Sequence, residues 1–267
     1  MSEDVLPNTD KVLYEVDEHV ATVTLNRPDK LNAMDPETYA ALSEAWMRIR
    51  DDSDVWVGVV TGAGDRAFTA GADLEETITP GELGWDDFWK TQDEMILNNG
   101  LEVWKPIIAA VDGYCLAGGM TMLLATDIRI AGADAQFGLS EVKRGILPGN
   151  GGTQRTIRQL PYPIAMEMLL TGDHVPADEA HKWGLVNEVV DAGESLETAH
   201  EYAERLVSSA PLAVQAIKEL AVRGRNMSLA DGIRLEESFS RHLFETEDAL
   251  EGVEAFREDR KPEWQAE

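Results

Sequence analysis

The segment Ala67-Phe68-Thr69-Ala70-Gly71-Ala72-Asp73-Leu74 decides the fold, together with Gly113-Tyr114-Cys115-Leu116-Ala117-Gly118-Gly119-Met120 and Phe137-Gly138-Leu139-Ser140-Glu141. Each segment ends a predicted strand in a turn that contains glycine or alanine. Such small residues let a ligand approach the main chain closely, and they leave the first N–H groups of a following helix free to point at it. Two such turns side by side would aim two N–H donors at one oxygen atom, which is an oxyanion hole. The alternative is that these residues only make tight turns in a packed α/β core.

The residues before these turns predict strands and one helix. Residues 12–16 and 20–25 alternate apolar and polar side chains, which predicts a hairpin. Asp35 is a good N-cap and is followed by proline, so a helix is predicted over 36–50. Residues 55–60 form an apolar run that predicts a buried strand.

The middle of the chain continues the alternation of strands and helices. The acidic, proline- and glycine-containing stretch 75–87 predicts a loop, and a helix is predicted over 85–101. Strands are predicted over 107–111 and 128–131, with a short helix over 120–125 between them. Strands alternating with helices indicate an α/β fold with a mainly parallel sheet and crossover connections.

The C-terminal part of the chain has no strand pattern and reads as a series of helices, predicted over 196–208, 211–223, 229–244 and 249–257. We therefore predict a core of residues 1–195 and a helical region of residues 196–267. These helices carry more apolar surface than a small satellite needs, so the helical region is expected to mediate oligomerisation.

Composition excludes several classes of function. The formal charge is −27, from 50 acidic and 23 basic residues, and nucleic-acid binding needs a basic surface that this chain lacks. The charge fits either a high-salt organism or an otherwise acidic proteome. No apolar run is long enough to span a bilayer, the N-terminus lacks the pattern of a secretory signal, and Cys115 is the only cysteine and is expected to be a buried thiol. We expect a cytoplasmic protein that does not bind membranes.

Other catalytic motifs are absent from the sequence. It has no phosphate-binding P-loop, and residues 149–152 lack the spacing of a dinucleotide-binding fingerprint. The five histidines show no metal-ligand spacing, and no serine lies in a nucleophile elbow. We therefore predict no metal site.

Taken in order, the landmark segments resemble the enoyl-CoA hydratase/isomerase (crotonase) superfamily. The resemblance runs from Leu25-Asn26-Arg27-Pro28-Asp29-Lys30-Leu31-Asn32-Ala33 to Glu251-Gly252-Val253-Glu254-Ala255-Phe256, and includes Gly151-Gly152-Thr153-Gln154-Arg155 and Leu170-Thr171-Gly172-Asp173. It implies a crotonase-like ββα spiral core with a C-terminal helical region that assembles homotrimers or hexamers. It also implies acyl-CoA thioester substrates and no metal or redox cofactor.

The resemblance assigns roles to particular positions. The backbone N–H groups of Ala72 and Gly118 would form the oxyanion hole, and Glu141 would be the catalytic acid/base. The residues that would bind coenzyme A and substrate are Lys30, Leu31, Ala33, Ala70, Asp73, Leu74, Gly119, Thr121 and Ser140.

One position departs from the pattern of the family's hydratases, which carry two glutamates. The second is present as Glu141, but counting three residues on from Gly118 leads to Thr121 in place of the first. A threonine hydroxyl does not exchange protons near neutral pH, although it can hold a water molecule or a substrate hydroxyl.

The expected activity is hydration of a 2-enoyl-CoA with Glu141 as the single acid/base. One carboxylate also suffices to shift a double bond, so an enoyl-CoA isomerase is the first alternative, followed by a specialised acyl-CoA lyase or hydrolase. A non-catalytic acyl-CoA-binding protein is a further alternative, which the presence of Glu141 beside intact glycine turns disfavours.

Overall fold

A computed structural model describes residues 9–77 and 96–267 and shows a mixed α/β architecture with a helical C-terminal region. The strands in the described part of the chain are β1 (Val12–Asp17), β2 (Val20–Leu25), β3 (Val57–Gly62), β4 (Ala67–Thr69), β5 (Ile107–Val111), β6 (Tyr114–Leu116), β7 (Ile128–Gly132), β8 (Gln136–Gly138), β9 (Val175–Pro176) and β10 (Glu188–Val190). The α-helices there are α1 (Pro36–Asp51), α2 (Leu74–Thr77), α3 (Gly118–Leu123), α4 (Gly152–Gln159), α5 (Tyr162–Thr171), α6 (Ala177–Lys182), α7 (Ser195–Val207), α8 (Pro211–Gly224), α9 (Leu229–Leu243) and α10 (Glu247–Glu258).

The strands form two sheets. The larger has the order β1-β2-β3-β5-β7-β10, and only its β1–β2 hairpin is antiparallel. The smaller has the order β4-β6-β8-β9, in which β4, β6 and β8 are parallel. Both the predicted hairpin and the predicted, mainly parallel sheet are therefore confirmed.

The larger sheet is buried on both faces, as expected for parallel strands. Ile108 and Ala110 of β5 lie in one core cluster with Ala199 and Ala203 of α7. The alternate residues of β5 lie in the other cluster, which includes Trp46 of α1. The first helix of the predicted C-terminal region thus covers one face of the sheet, while the division at residue 195 and the oligomerisation role remain predictions.

Helix α1 begins where the sequence predicts and runs one residue further. The Asp35 carboxylate accepts a hydrogen bond from the backbone N–H of Thr38 at 2.8 Å, and Pro36 occupies the first turn. This is the N-cap geometry that satisfies one of the N–H groups left without a partner at a helix start. The buried residues recur at helical spacing and are Thr38, Ala41, Leu42, Ala45, Trp46 and Ile49.

Two sequence predictions for the segment after the first glycine turn are wrong in part. Residues 74–77 are helical, whereas a loop was predicted from residue 75, and the rest of that loop lies outside the described residues. Of the helix predicted over 85–101, residues 96–101 form a tight reversal with bridges from Ile96 to Asn99 and Gly100. Gly100 has a φ of +97°, which a right-handed helix does not allow, and the rest of this helix also lies outside the described residues.

Cys115 is fully buried and unpaired, as predicted. Burial raises the pKa of its thiol, although the nearby positive charge of Arg129 opposes the shift, so the sulfur stays protonated and unreactive. None of the helices in residues 9–77 and 96–267 combines the length and the apolar character that crossing a membrane requires.

Candidate active site

The three glycine-containing turns meet because they end three neighbouring parallel strands. In the smaller sheet Thr69 of β4 pairs with Cys115 of β6, which in turn pairs with Phe137 of β8. The carboxyl ends of parallel strands lie at the same edge of a sheet, so the turns that follow β4, β6 and β8 lie side by side. These turns contain Ala72, Gly118 and Glu141, which are the three predicted catalytic residues.

The loop before α1 lies against the first of these turns. The backbone N–H of Ala70 donates to the carbonyl oxygen of Leu31 at 3.0 Å, and that of Met34 donates to the carbonyl of Gly71 at 2.8 Å. The N–H of Asp73 donates back to the carbonyl of Met34 at 2.8 Å. The two segments predicted to hold coenzyme A are thus brought together as one continuous main-chain surface.

The side chain of Arg27 holds the two segments of this surface together. Its Nη1 donates to the carbonyl oxygen of Ala33 at 2.7 Å and lies 3.2 Å from Asp73 Oδ2 and 3.3 Å from Asp35 Oδ2. Burial alone would raise the pKa of Asp35, but hydrogen bonds from Lys11 and Thr38 and the charge of Arg27 lower it to about 2. The Asp73 carboxylate is paired with Arg27, so only the main chain of Asp73 is free to contact a ligand.

The main-chain N–H groups of Ala72 and Gly118 lie close together and are available to a ligand. A Cβ atom built on Gly118 would lie 3.4 Å from the nitrogen of Ala72, and one built on Gly71 would lie 2.8 Å from the nitrogen of Gly118. Gly71 also has a φ of +92°, so this turn requires glycine. Within residues 9–77 and 96–267, neither N–H donates a hydrogen bond to another group.

The residue before Gly118 is strained. Ala117 has a φ of +49° and a ψ of −115°, a conformation that costs an L-residue about 1–3 kcal/mol. Its own N–H donates to the carbonyl oxygen of Gly138, the last residue of β8, at 2.8 Å. This bond ties the Gly118 turn to the strand that leads to Glu141, and strain of this kind is typical of a functional turn.

The side chain of Glu141 is buried and incompletely hydrogen-bonded. The residue is 9% exposed, and its Oε2 atom has no hydrogen-bond partner among the described residues. Burial raises the pKa of Glu141, while a hydrogen bond from its own backbone and the positive charge of Arg144 oppose the shift in part. A buried carboxylate with a raised pKa and an oxygen that no described residue binds is suited to taking and returning a proton.

Thr121 is also buried, but its hydroxyl is engaged by the protein. The residue is 2% exposed, and its Oγ1 donates to the carbonyl oxygen of Gly118 at 2.9 Å. The same oxygen accepts a hydrogen bond from Nδ2 of Asn98 at 2.9 Å. The predicted contact of Thr121 with substrate thus remains a prediction, and its only proton is already donated.

The other predicted binding residues fall into two groups. Lys30 and Leu74 are exposed at the edge of the site, where they remain accessible to a ligand. Gly119 and Ser140 are buried in the turns: a Cβ on Gly119 would lie 2.9 Å from the carbonyl oxygen of Thr69, and Ser140 Oγ lies 3.2 Å from Arg144 Nη1. These two residues shape the turns, and their role in binding is untested.

Two residues that shape the site were not predicted. Asn32, 1% exposed, holds the loop before α1 by donating from Nδ2 to the carbonyl oxygens of Ala63 and Ala67. Its φ of +54° belongs to the left-handed region, which asparagine tolerates better than most residues, and that preference was the one available signal. Asn98 gave no signal, because its partner Thr121 is 23 residues away and the helix predicted there is absent.

A small cavity adjoins Gly118. Its walls are mostly apolar and include Met34, Tyr39 and Met122, with Asn98 as a polar member. A Cβ on Gly118 would lie 3.2 Å from the Tyr39 hydroxyl. Among the described residues no group of three or more His, Cys, Asp or Glu side chains has the arrangement of a metal site.

Comparison with known proteins places these features in a family. The sequence profile of the enoyl-CoA hydratase/isomerase family matches residues 15–267. The chain is 44% identical over 251 residues to (E)-benzylidenesuccinyl-CoA hydratase of Thauera aromatica, covering 94% of this chain and 97% of that protein. It is 43% identical over 253 residues to carnitinyl-CoA dehydratase of Salmonella arizonae, covering 92% of this chain and 94% of that protein. The crystal structure of an enoyl-CoA hydratase/isomerase from Mycobacterium paratuberculosis superimposes with a TM-score of 0.88 at 38% identity, covering 97% of this chain and 99% of that one.

The raised pKa of Glu141 predicts a stability effect that is separate from activity. A carboxyl whose folded pKa exceeds its unfolded pKa stabilises the fold below the unfolded value and loses that contribution as the pH rises through the folded value. Glu141→Gln removes the buried charge, so its melting temperature should exceed that of the wild type at about pH 8, and the difference should shrink towards about pH 5. Thermal unfolding at several pH values measures this. Glu167→Gln, the same change at an exposed position of α5, should show no such trend.

Proposed function

The chain belongs to the enoyl-CoA hydratase/isomerase family, and we propose that it adds water to the double bond of a 2-enoyl-CoA thioester. The observation that carries this proposal is the combination of two available main-chain N–H groups, at Ala72 and Gly118, with the buried Glu141 carboxylate, whose Oε2 has no hydrogen-bond partner among the described residues. The two N–H groups can stabilise the negative charge that develops on a thioester oxygen, and the carboxylate can transfer a proton.

In the proposed reaction Glu141 transfers a proton twice, and the two N–H groups stabilise the intermediate. Glu141 takes a proton from water, the water oxygen bonds to C3, and the electron pair of the double bond moves to the thioester oxygen. The N–H groups of Ala72 and Gly118 stabilise that enolate oxygen, and Glu141 then returns its proton to C2. The sum is addition of one water molecule with no change in oxidation state, so we propose that no metal or redox cofactor is needed.

Coenzyme A is proposed to bind along the main chain of residues 30–33 and 70–74. These segments are hydrogen-bonded to each other, and Arg27 holds them from the side of the protein interior. The exposed ammonium group of Lys30 is the proposed contact for a phosphate. Such binding through main-chain groups suits a chain with a net charge of −27, since acidic side chains would repel the phosphates.

Isomerisation of a 3-enoyl-CoA is the second candidate, because the described site offers one carboxylate of suitable burial. A single carboxylate can take a proton from C2 and return it to C4 without any water. The names of the two relatives, a hydratase and a dehydratase, favour water chemistry for this chain.

The first experiment measures hydration directly. Crotonyl-CoA, (E)-benzylidenesuccinyl-CoA and carnitinyl-CoA are offered in turn, and the enoyl-thioester absorbance is followed as it falls on hydration or rises on dehydration. Glu141→Gln should lower turnover by about 100- to 10,000-fold, which is the contribution of general acid–base catalysis. The exposed Glu167→Gln variant is the matched control. Conversion of a 3-enoyl-CoA without water addition to any of these substrates would establish the isomerase instead.

The oxyanion hole is tested by removing one donor. Gly118→Pro deletes the N–H at the first residue of α3, a position where proline fits a helix, and should lower kcat by about 100- to 1,000-fold. Gly118→Ala keeps the N–H and adds only a methyl group close to Met34 and Tyr39, so it measures the contribution of crowding. Thermal unfolding verifies that both variants fold. Near-normal turnover by folded Gly118→Pro would refute the assignment.

We further propose that the protein assembles as a homotrimer or as a hexamer. The C-terminal helices expose large apolar side chains that water would leave unfavourably solvated, namely Ile217, Leu229, Phe244, Leu250 and Phe256. Light scattering should give three or six times the chain mass of 29.4 kDa. Leu229→Asp, at 81% exposure, should lower that mass, whereas Leu170→Asp outside these helices should not. A stable monomer at micromolar concentration would exclude the assembly.

A further inference from the structure

The orientation of the Asn98 amide is determined by Thr121. A hydroxyl has one proton, and Thr121 donates it to the carbonyl oxygen of Gly118. Oγ1 can therefore only accept from Asn98, so the NH₂ end of the amide must face it, at 2.9 Å. The carbonyl end, Oδ1, consequently faces away from Thr121.

The Oδ1 atom of Asn98 accepts no hydrogen bond from the part of the chain that the structure describes. Asn98 is 8% exposed, and no described residue donates a hydrogen bond to its Oδ1. Asn98 lines the cavity beside Gly118, so a water molecule or a substrate hydroxyl in that cavity would lie next to this side chain.

The backbone of Asn98 is held in place by Arg155. Nη1 of Arg155 donates to the carbonyl oxygen of Asn98 at 2.9 Å and to that of Asn150 at 3.0 Å. The same loop returns to Thr121, since a Cβ on Gly152 would lie 2.8 Å from Thr121 Cγ2. Asn98, Thr121 and the Gly118 turn thus form one hydrogen-bonded chain, which restrains the amide before any ligand arrives.

We propose that Oδ1 of Asn98 accepts a hydrogen bond from the water molecule that adds to C3, and from the hydroxyl that it becomes in the product. Asn98 would thereby position the nucleophile, while Thr121 holds the amide in place through the hydrogen bond that its Oγ1 accepts. The inference rests on the proposed hydration. Glu141 takes and returns the proton, and Asn98 makes and loses only hydrogen bonds, so the atoms and charges balance as before.

The proposal separates two reactions that share the oxyanion hole. Water addition needs Asn98, Glu141 and the two N–H groups. Exchange of a C2 hydrogen of the saturated butyryl-CoA for solvent deuterium needs only Glu141 and the N–H groups, because Glu141 takes the C2 proton, exchanges it with D₂O and returns a deuteron. A loss confined to hydration would therefore identify a residue that holds the water.

The experiment compares Asn98→Ala with Asn99→Ala, the same change at the neighbouring position. Asn98→Ala should lower kcat for hydration by about 10- to 100-fold, as expected for one lost hydrogen bond to the nucleophile in the transition state. Deuterium exchange into butyryl-CoA, followed by mass spectrometry, should stay within about threefold of the wild type. Asn99→Ala should leave both rates unchanged.

A second variant tests the position through its pH dependence. Asn98→Asp places a carboxylate where the amide stood, so the pH profile of kcat/KM should gain a second ionisation beside that of Glu141. A carboxylate remote from the reacting atoms would add no ionisation, so a profile unchanged from the wild type would contradict the proposal.

The remaining outcomes distinguish this inference from the proposed function. Equal losses of hydration and exchange in a folded Asn98→Ala variant would mean that Asn98 only shapes the hole, and unchanged hydration would mean that it holds no water. Either result overturns the inference and leaves the hydratase intact. A wild-type enzyme that exchanges the C2 hydrogen but adds water to no enoyl-CoA would overturn the proposed function, and the inference with it.

Discussion

The site depends on the parallel pairing of three very short strands. β4, β6 and β8 have three residues each, and a turn follows each of them directly. Parallel pairing puts all three turns at one edge, where Ala72, Gly118 and Glu141 meet although 69 residues separate the first from the last. Such short strands contribute few hydrogen bonds. The fully buried Cys115 and Phe137, which pair with each other, help to fix the register of β6 and β8, since a slip by one residue would turn these side chains outward.

The same turns also allow a strongly acidic chain to bind negative charge. Under the proposed mechanism, a chain with a net charge of −27 stabilises an enolate and binds the polyanionic coenzyme A. Main-chain N–H groups supply partial positive charge without a cationic side chain, and the hydrogen bond from Ala117 N–H to Gly138 ties the turn that presents the N–H of Gly118. Nearby carboxylates are neutralised within the protein, with Asp35 and Asp73 paired to Arg27. Glu141 is the exception, and its burial favours the protonated form over an additional negative charge.

The sequence predicted the elements that depend on local chemistry. The hairpin, the strand at 107–111 and the capped helix α1 follow from periodicity and from Asp35-Pro36, and the structure has all three. Strands β4, β6 and β8 are too short for an alternating pattern, so their turns could be recognised but their pairing could not. The helix predicted through residues 96–101 failed because Gly100 takes a left-handed conformation and the segment reverses there. Asn98 is placed by contacts with Thr121 and Arg155, and such distant contacts leave no trace in a local pattern.

The presence of Thr121 where a second glutamate was expected has a consequence for the pKa of Glu141. Two carboxylates in one buried pocket would each raise the pKa of the other, so that only one would be ionised near neutral pH. Burial already raises the pKa of Glu141, and a second acid at position 121 would raise it further in a chain with few lysines to compensate. Thr121 and Asn98 are neutral at every physiological pH, so they supply hydrogen bonds without competing for the proton. Thr121 therefore adds no titrating group while it keeps a polar wall beside Gly118, and under the proposed mechanism the whole of proton transfer falls on Glu141, whose burial already favours the protonated form.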